Sequence, residues 1–103
     1  QTTSSGWSAT AITAATANAF SGQKLFIDTS SNQITVTLPA APVVGDEISF
    51  MDVADNFDTN ALTINPNGKK IFGATANGTV STEGAAFTIV FTGNTHGWKI
   101  TEK

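Results

Sequence analysis

The feature that most constrains the fold of this chain is a two-residue periodicity, in which apolar side chains alternate with threonines and other polar residues. The clearest examples are QITVTL, residues 33–38, and FTIVF, residues 87–91. Successive side chains of a β-strand point to opposite faces, so this alternation places one face of each strand in a core. No window shows the 3.6-residue spacing of an amphipathic helix. The sequence therefore predicts an all-β domain.

The arrangement of strands and turns predicts the architecture. Three segments, residues 25–36, 48–64 and 87–100, each contain an apolar strand, a polar turn with asparagine and a second apolar strand. We predict that each segment is a β-hairpin. Successive hairpins around one core would give an antiparallel β-sandwich or a jelly-roll-like barrel.

The N-terminal part differs from the rest of the chain. Residues 1–22 carry no charge and are rich in Ala, Thr and Ser. They are predicted to form an extended arm or linker with one short strand, ahead of a β-domain over residues 23–103; a partly disordered linker is the alternative. The first residue is Gln1 rather than Met, which leads us to expect a fragment or a processed product.

A neutral arm of small residues suits packing against a neighbouring subunit. The strands also carry apolar residues on the face opposite their core positions, which favours either a second sheet or a subunit interface. The predicted interface residues are Trp7, Ile12, Phe20, Phe26, Met51 and Val90.

Composition disfavours several classes of function. The chain has five Lys and Arg residues in total and a net charge of −3, whereas nucleic-acid binding requires clustered cations. No apolar run approaches the roughly 18 residues of a membrane span. Cysteine is absent, which excludes disulfides and thiol nucleophiles. We expect neither nucleic-acid binding nor membrane insertion.

Groups suited to catalysis are few. The single histidine, His96, lies in a turn flanked by glycines, where a solvated side chain is the ordinary outcome. Asp46 and Glu47 are adjacent at the start of a strand and point to opposite faces, so they make a poor acid–base pair. We expect no enzymatic activity and no cofactor.

Acidic and amide residues cluster in the segment MDVADNFDTN, residues 51–60. Oxygen ligands at short spacing can bind calcium, and the weak candidates are Asp55, Asn56, Asp58 and Asn60. The alternative is a loop in which these side chains stabilise turns while Phe57 closes the edge of the core. Polar loops on a rigid β scaffold also commonly bind partners. The predicted receptor-facing residues are Asp52, Asp55, Asp58, Asn94 and His96.

One ordered set of turn and core residues resembles a known family. A Gly-Asp opens a strand, Phe-Asp-Thr-Asn precedes Leu-Thr-Ile, Asn-Gly follows, and the last hairpin contains Gly-Trp. Over roughly residues 20–101 this order resembles a small β-domain of bacteriophage tail-fibre, tail-spike and capsid decoration proteins. The matching positions are Asp28, Thr29, Leu38, Pro39, Gly45, Asp46, Phe57, Thr59, Asn60, Leu62, Asn67, Gly68, Gly93, Gly97 and Trp98.

The resemblance implies a structural role and supplies no catalytic residues. It implies a homotrimeric module of the virion that contacts other virion proteins and, at a fibre tip, a glycan or protein of the host surface. We therefore expect a trimeric tail-fibre or spike tip domain that contributes to host attachment. The alternatives are a capsid decoration protein and a carbohydrate-binding module of a tail-associated depolymerase.

Overall fold

The described part of the chain folds into eight β-strands arranged in two sheets. A computed structural model describes residue 7 and residues 10–102, and these residues contain no helix. Sheet I has the strand order β1-β3-β5-β6, and sheet II has the order β2-β4-β7-β8. The strands are β1 Thr16–Asn18, β2 Lys24–Ile27, β3 Ile34–Thr37, β4 Glu47–Asp52, β5 Leu62–Asn65, β6 Gly78–Val80, β7 Ala86–Phe91 and β8 Trp98–Glu102. The prediction of an all-β fold is confirmed.

The first five strands alternate between the two sheets. β3 lies parallel to both β1 and β5 in sheet I, and β2 lies parallel to β4 in sheet II. Parallel neighbours require a long crossover, which here passes through a strand of the other sheet. Isolated parallel bridges from Trp7 to Lys24 and from Ile12 to Ile27 extend the pattern. Residue 7 with residues 10–18, residues 24–37 and residues 47–65 thus form three stacked layers, each contributing to both sheets.

Antiparallel strands complete both sheets after the third layer. β6 pairs with β5, while β7 pairs with β4 and β8 pairs with β7. The segment 87–100 is therefore the predicted hairpin, but segments 25–36 and 48–64 run from one sheet to the other. The sheets are mixed rather than antiparallel, because the two-residue period fixes which face is buried and leaves the pairing partner open.

The described part of the predicted arm belongs to the sheets. β1 is the short strand expected in that region, and it pairs along β3. Ile12 donates its backbone N–H to the Phe26 carbonyl and accepts from the Asp28 N–H, at 2.8 and 2.9 Å. Residues 1–6 and 8–9 of the predicted arm lie outside the described residues.

One hydrophobic core joins the inward faces of the two sheets. The alternating residues of β3 and β5 pack in the same cluster as those of β2, β4, β7 and β8. Phe50 stacks on Phe87 with ring centroids 5.3 Å apart, and Phe91 lies 5.4 Å from Trp98. Full burial of each such side chain is worth about 1.5–3 kcal/mol. The core positions predicted from the period in β3 and β7 are confirmed, whereas Ile100, predicted to share the core face with Trp98, is 39% exposed. Among the described residues, no helix has the length and apolar character needed to cross a membrane.

Candidate functional site

The acidic segment after β4 is organised by a buried carboxylate. Asp52 is 3% exposed, and its carboxylate accepts hydrogen bonds from three backbone N–H groups. The donors are Asn56, Phe57 and Gly84, at 3.1, 2.9 and 3.0 Å. The side chain thus ties the loop after β4 to the turn before β7. Because Asp52 is buried and fully engaged, the prediction that it faces a receptor is wrong.

The two asparagines of this loop bind an adjacent layer. Asn56 and Asn60 both donate their side-chain Nδ2 to the carbonyl of Thr29, at 3.0 and 2.8 Å. Thr29 lies in the loop between β2 and β3, so the two amides hold the loops of consecutive layers together. These two amides therefore link loops rather than stabilise turns of their own loop, while Phe57 is fully buried, as the alternative interpretation requires.

No contact in the described residues builds a metal centre. They hold no group of three or more His, Asp or Glu residues that could bind a metal ion. Asp55 and Asp58 are exposed, and the asparagine amides between them are engaged with Thr29. The calcium hypothesis stays a prediction.

The remaining receptor-facing candidates divide between two ends of sheet II. Asp55 and Asp58 follow the C-terminal end of β4, whereas Asn94 and His96 follow the C-terminal end of β7. β4 and β7 are antiparallel, with Met51 opposite Ala86 and Glu47 opposite Val90. Six strand residues span about 17 Å. The two exposed loops therefore cannot form one site through direct contact.

Asp28, in the loop between β2 and β3, forms a hydrogen-bonded turn with Ser30. Its carboxylate accepts hydrogen bonds from the Ser30 hydroxyl at 2.6 Å and from the Ser30 backbone N–H at 2.9 Å. These bonds, the hydroxyl first, favour the charged form and hold the pKa of Asp28 below its ordinary value. The arrangement is a local turn at the surface.

The predicted interface residues also separate into groups. Trp7 stacks on Phe26 with ring centroids 5.0 Å apart and an interplanar angle of 6°, and Phe26 lies beside Met51 on the outer face of sheet II. Val90 of β7 is half-buried and lies opposite Glu47, at the other end of β4 from Met51. Ile12 packs against the core. Phe20 lies elsewhere and is 63% exposed. We call Trp7, Phe26 and Met51 the sheet II apolar patch.

The outer face of sheet I carries an uncharged polar array. One row across its four strands consists of Thr16, Thr35, Thr63 and Thr79, and a second row consists of Asn18, Thr37 and Asn65. We call these seven residues the threonine face. Only Asn65 uses its side chain in a hydrogen bond within the described residues, accepting from the Asn67 N–H at 2.9 Å. The other six side chains keep their hydrogen-bonding capacity for an external partner or water.

A cleft of about 270 Å³ adjoins one end of the threonine face. It is lined by the exposed Phe20, by Asn18 and Thr37 of the face, and by Asn67 of the turn after β5. Ala19, Leu38, Pro39 and Ala40 complete its lining. We call this the Phe20 cleft. A second groove, of about 360 Å³ and lined mainly by apolar residues, lies between β6 and the β7–β8 hairpin.

Sequence reasoning missed the threonine face, although a repeat in the sequence marks it. Thr-Ala-Asn at 16–18, Thr-Val-Thr at 35–37 and Thr-Ile-Asn at 63–65 share the pattern Thr-x-Thr/Asn. Equivalent positions of a repeat stack side by side when the chain winds in parallel layers. The predicted hairpins did not indicate this face, because a hairpin arrangement would not place the three triplets side by side.

The residues of the phage-domain resemblance hold turns and core in this structure. Asp46 accepts the Val43 N–H through its carboxylate at 2.9 Å, and Asn67 and Gly68 form a turn with φ of 58° and 91°. Asn60 joins two layers, and Phe57 and Trp98 are fully buried. These positions therefore have structural roles in turns, loops and the core.

Comparison with known proteins gives no family. No protein-family model matches the chain, and no curated protein matches it. One similar solved chain belongs to a structure described as that of a chaperone–substrate complex, with 12% identity and a TM-score of 0.46. The match covers 97% of this chain but only 14% of that chain. Similarity at this level carries no argument about fold family or function.

Proposed function

We propose that this chain is a non-catalytic structural module of a bacteriophage virion, of the tail-fibre or spike type, that contributes to host-surface attachment. The observation that carries the proposal is the uncharged threonine face, displayed on three stacked layers, of which the second and third are also joined by the Asn56 and Asn60 hydrogen bonds. A rigid β scaffold presenting polar groups suits recognition better than turnover. The family resemblance of the turn and core residues supports the phage assignment.

In this proposal the two sheets are the layers of a β-sandwich with two outer faces of different character. Sheet I presents the threonine face, while sheet II presents the apolar patch of Trp7, Phe26 and Met51, all half-buried. Half-buried apolar residues on an outer face suit contacts between copies of the chain. We propose that sheet II faces the other subunits of a homotrimer and sheet I faces outward.

Locating the protein in phage particles tests the proposal. Gradient-purified virions of the phage whose genome encodes the chain would be analysed by mass spectrometry and by gold-labelled antibody in electron microscopy. Peptides in the particle and gold at the fibre or spike are expected. Gold spread over the capsid would instead establish the decoration alternative, and absence from the purified particles would refute both.

A further inference from the structure

We infer that the Phe20 cleft, with the adjoining end of the threonine face, is a binding site for a neutral polysaccharide. The inference rests on the proposed attachment function and names the class of molecule that the module would attach to. It is carried by three features of the cleft: an exposed phenylalanine on a hydrogen-bonded turn, flanking groups able to bond hydroxyls, and a lining without charged side chains.

The Phe20 ring is exposed and its backbone is fixed. Phe20 is 63% exposed, whereas the preceding Ala19 is 2% exposed and donates its N–H to the Thr37 carbonyl at 2.8 Å. The Phe20 N–H is bound by Gln23 Oε1 at 2.8 Å, and the Gly22 N–H by the Glu47 carbonyl at 2.7 Å. An aromatic ring on a fixed turn offers a flat face to the C–H groups of a sugar ring, at little entropic cost on binding.

The polar groups beside the ring match the hydroxyls of a sugar. Asn18 and Thr37 line the cleft, and neither side chain makes a hydrogen bond within the described residues. Asn67 donates its Nδ2 to the Leu38 carbonyl at 3.0 Å, which fixes the orientation of its amide. Amide and hydroxyl groups both donate and accept, as sugar hydroxyls do. A few placed polar groups around an apolar surface are typical of ligand clefts.

The charge of the site selects against anionic ligands. None of the residues that line the cleft or form the threonine face is titratable, and the whole chain carries a net charge of −3. A polyanion therefore gains no ion pairs here and is repelled by the net charge. The threonine face continues the hydrogen-bonding surface, with neighbouring strands about 4.8 Å apart. An extended neutral chain fits these features.

Retention of the purified chain on immobilised polysaccharides tests the inference. The neutral probes are glucan, mannan, galactan and a polymer of N-acetylhexosamine, and alginate and heparin are the anionic ones. We expect retention on at least one neutral polymer that persists in roughly 1 M NaCl, because no ion pair is available for salt to screen. Phe20→Ala should weaken that binding at least about tenfold, and Asn18→Ala several-fold.

Val44→Ala is the matched control, because Val44 is an exposed apolar residue, 72% exposed, outside the cleft. It should leave the affinity within about twofold of wild type, and all variants should keep the wild-type melting temperature. Failure of the wild type to bind any neutral polymer, or equal binding by Phe20→Ala, would overturn the inference. If the chain is found in virions but binds no neutral polysaccharide, the inference fails and the proposed function stands. If the chain binds a neutral polysaccharide but is absent from virions, the proposed function fails and the binding site stands.

Discussion

At the scale of single residues, polar side chains in this protein act mainly as links between loops. Asp52 satisfies three backbone N–H groups, and Asn56 and Asn60 share one carbonyl of a neighbouring layer. A buried backbone donor without a partner costs about 1–3 kcal/mol. The acidic segment that composition marked as a binding loop therefore contributes to folding through its buried carboxylate.

Asp52→Ala tests that role. The substitution removes the acceptor of three N–H groups, including the buried N–H of Phe57, and should lower the free energy of unfolding by about 3 kcal/mol or more. Asp58→Ala, in the same loop but exposed, should change it by less than about 0.5 kcal/mol. Urea denaturation of both variants checks the prediction. Equal stabilities would show that the Asp52 bonds contribute nothing.

Asp28 is expected to titrate below its ordinary pKa, because the Ser30 hydroxyl and N–H stabilise its charged form. A pKa that folding lowers adds stability above the unfolded-state pKa, and this stability is lost as the pH falls through the folded-state pKa. NMR titration of the side-chain carboxyl measures the pKa directly. Ser30→Ala should raise it toward the ordinary value, and an unchanged pKa would show that the hydroxyl is not the cause.

At the scale of elements, identical connection lengths lead to different structures. Six residues, 28–33, separate β2 from β3, and six residues, 92–97, separate β7 from β8. The first connection crosses between sheets and the second closes a hairpin. In the hairpin, the Gly97 N–H bonds the Gly93 carbonyl at 2.8 Å, whereas in the crossing loop the Thr29 carbonyl is taken by the next layer. Contacts with residues far apart in the chain therefore decide whether a six-residue connection crosses between sheets or closes a hairpin.

The β7–β8 hairpin also depends on one close approach. A Cβ at Gly97 would lie 2.2 Å from the Lys70 carbonyl oxygen, and Gly97 has a φ of 71°. Gly97→Ala should therefore cost at least about 2 kcal/mol more than Gly73→Ala, whose site has a similar φ of 85° but open space around it. Thermal unfolding of the two variants measures the difference, and matching melting temperatures would contradict the close packing.

At the scale of the whole molecule, the chain is a thin slab with two large faces. Its principal dimensions are 37 × 34 × 22 Å. One outer face is uncharged and polar, and the other carries the apolar patch. This difference is the structural basis for proposing that one face meets sister subunits while the other meets the host.

Light scattering after size-exclusion chromatography tests the assembly. A trimer should give three times the chain mass of 10.6 kDa at micromolar concentration. Met51→Lys, on the outer face of sheet II, should yield folded monomers, because a charge in a packed apolar interface is unfavourable. Thr63→Lys, at a comparable position on sheet I, should leave the trimer intact. A monomeric wild type would remove the trimer proposal.

The sequence predicts the core of this structure better than it predicts the candidate site. The period-two segments identified the buried residues of β3 and β7 correctly, because alternation follows from strand geometry alone. Asp52 was misassigned, because nothing local distinguishes a buried carboxylate from an exposed one in an acidic loop. Phe20 was assigned to an interface with Trp7, whereas the fold places the two residues on different surfaces.

The sequence by itself determined that this protein is all-β and which side chains of β3 and β7 enter the core, because both follow from the two-residue alternation. Only the tertiary structure decided that β2, β3, β4 and β5 alternate between sheets, since strand pairing is set by contacts between residues far apart in the chain. That winding stacks the three Thr-x-Thr/Asn triplets into one face and brings Phe20 beside Asn18 and Asn67. The candidate binding surface therefore exists because the chain winds in stacked layers, which bring together residues that are far apart in the sequence.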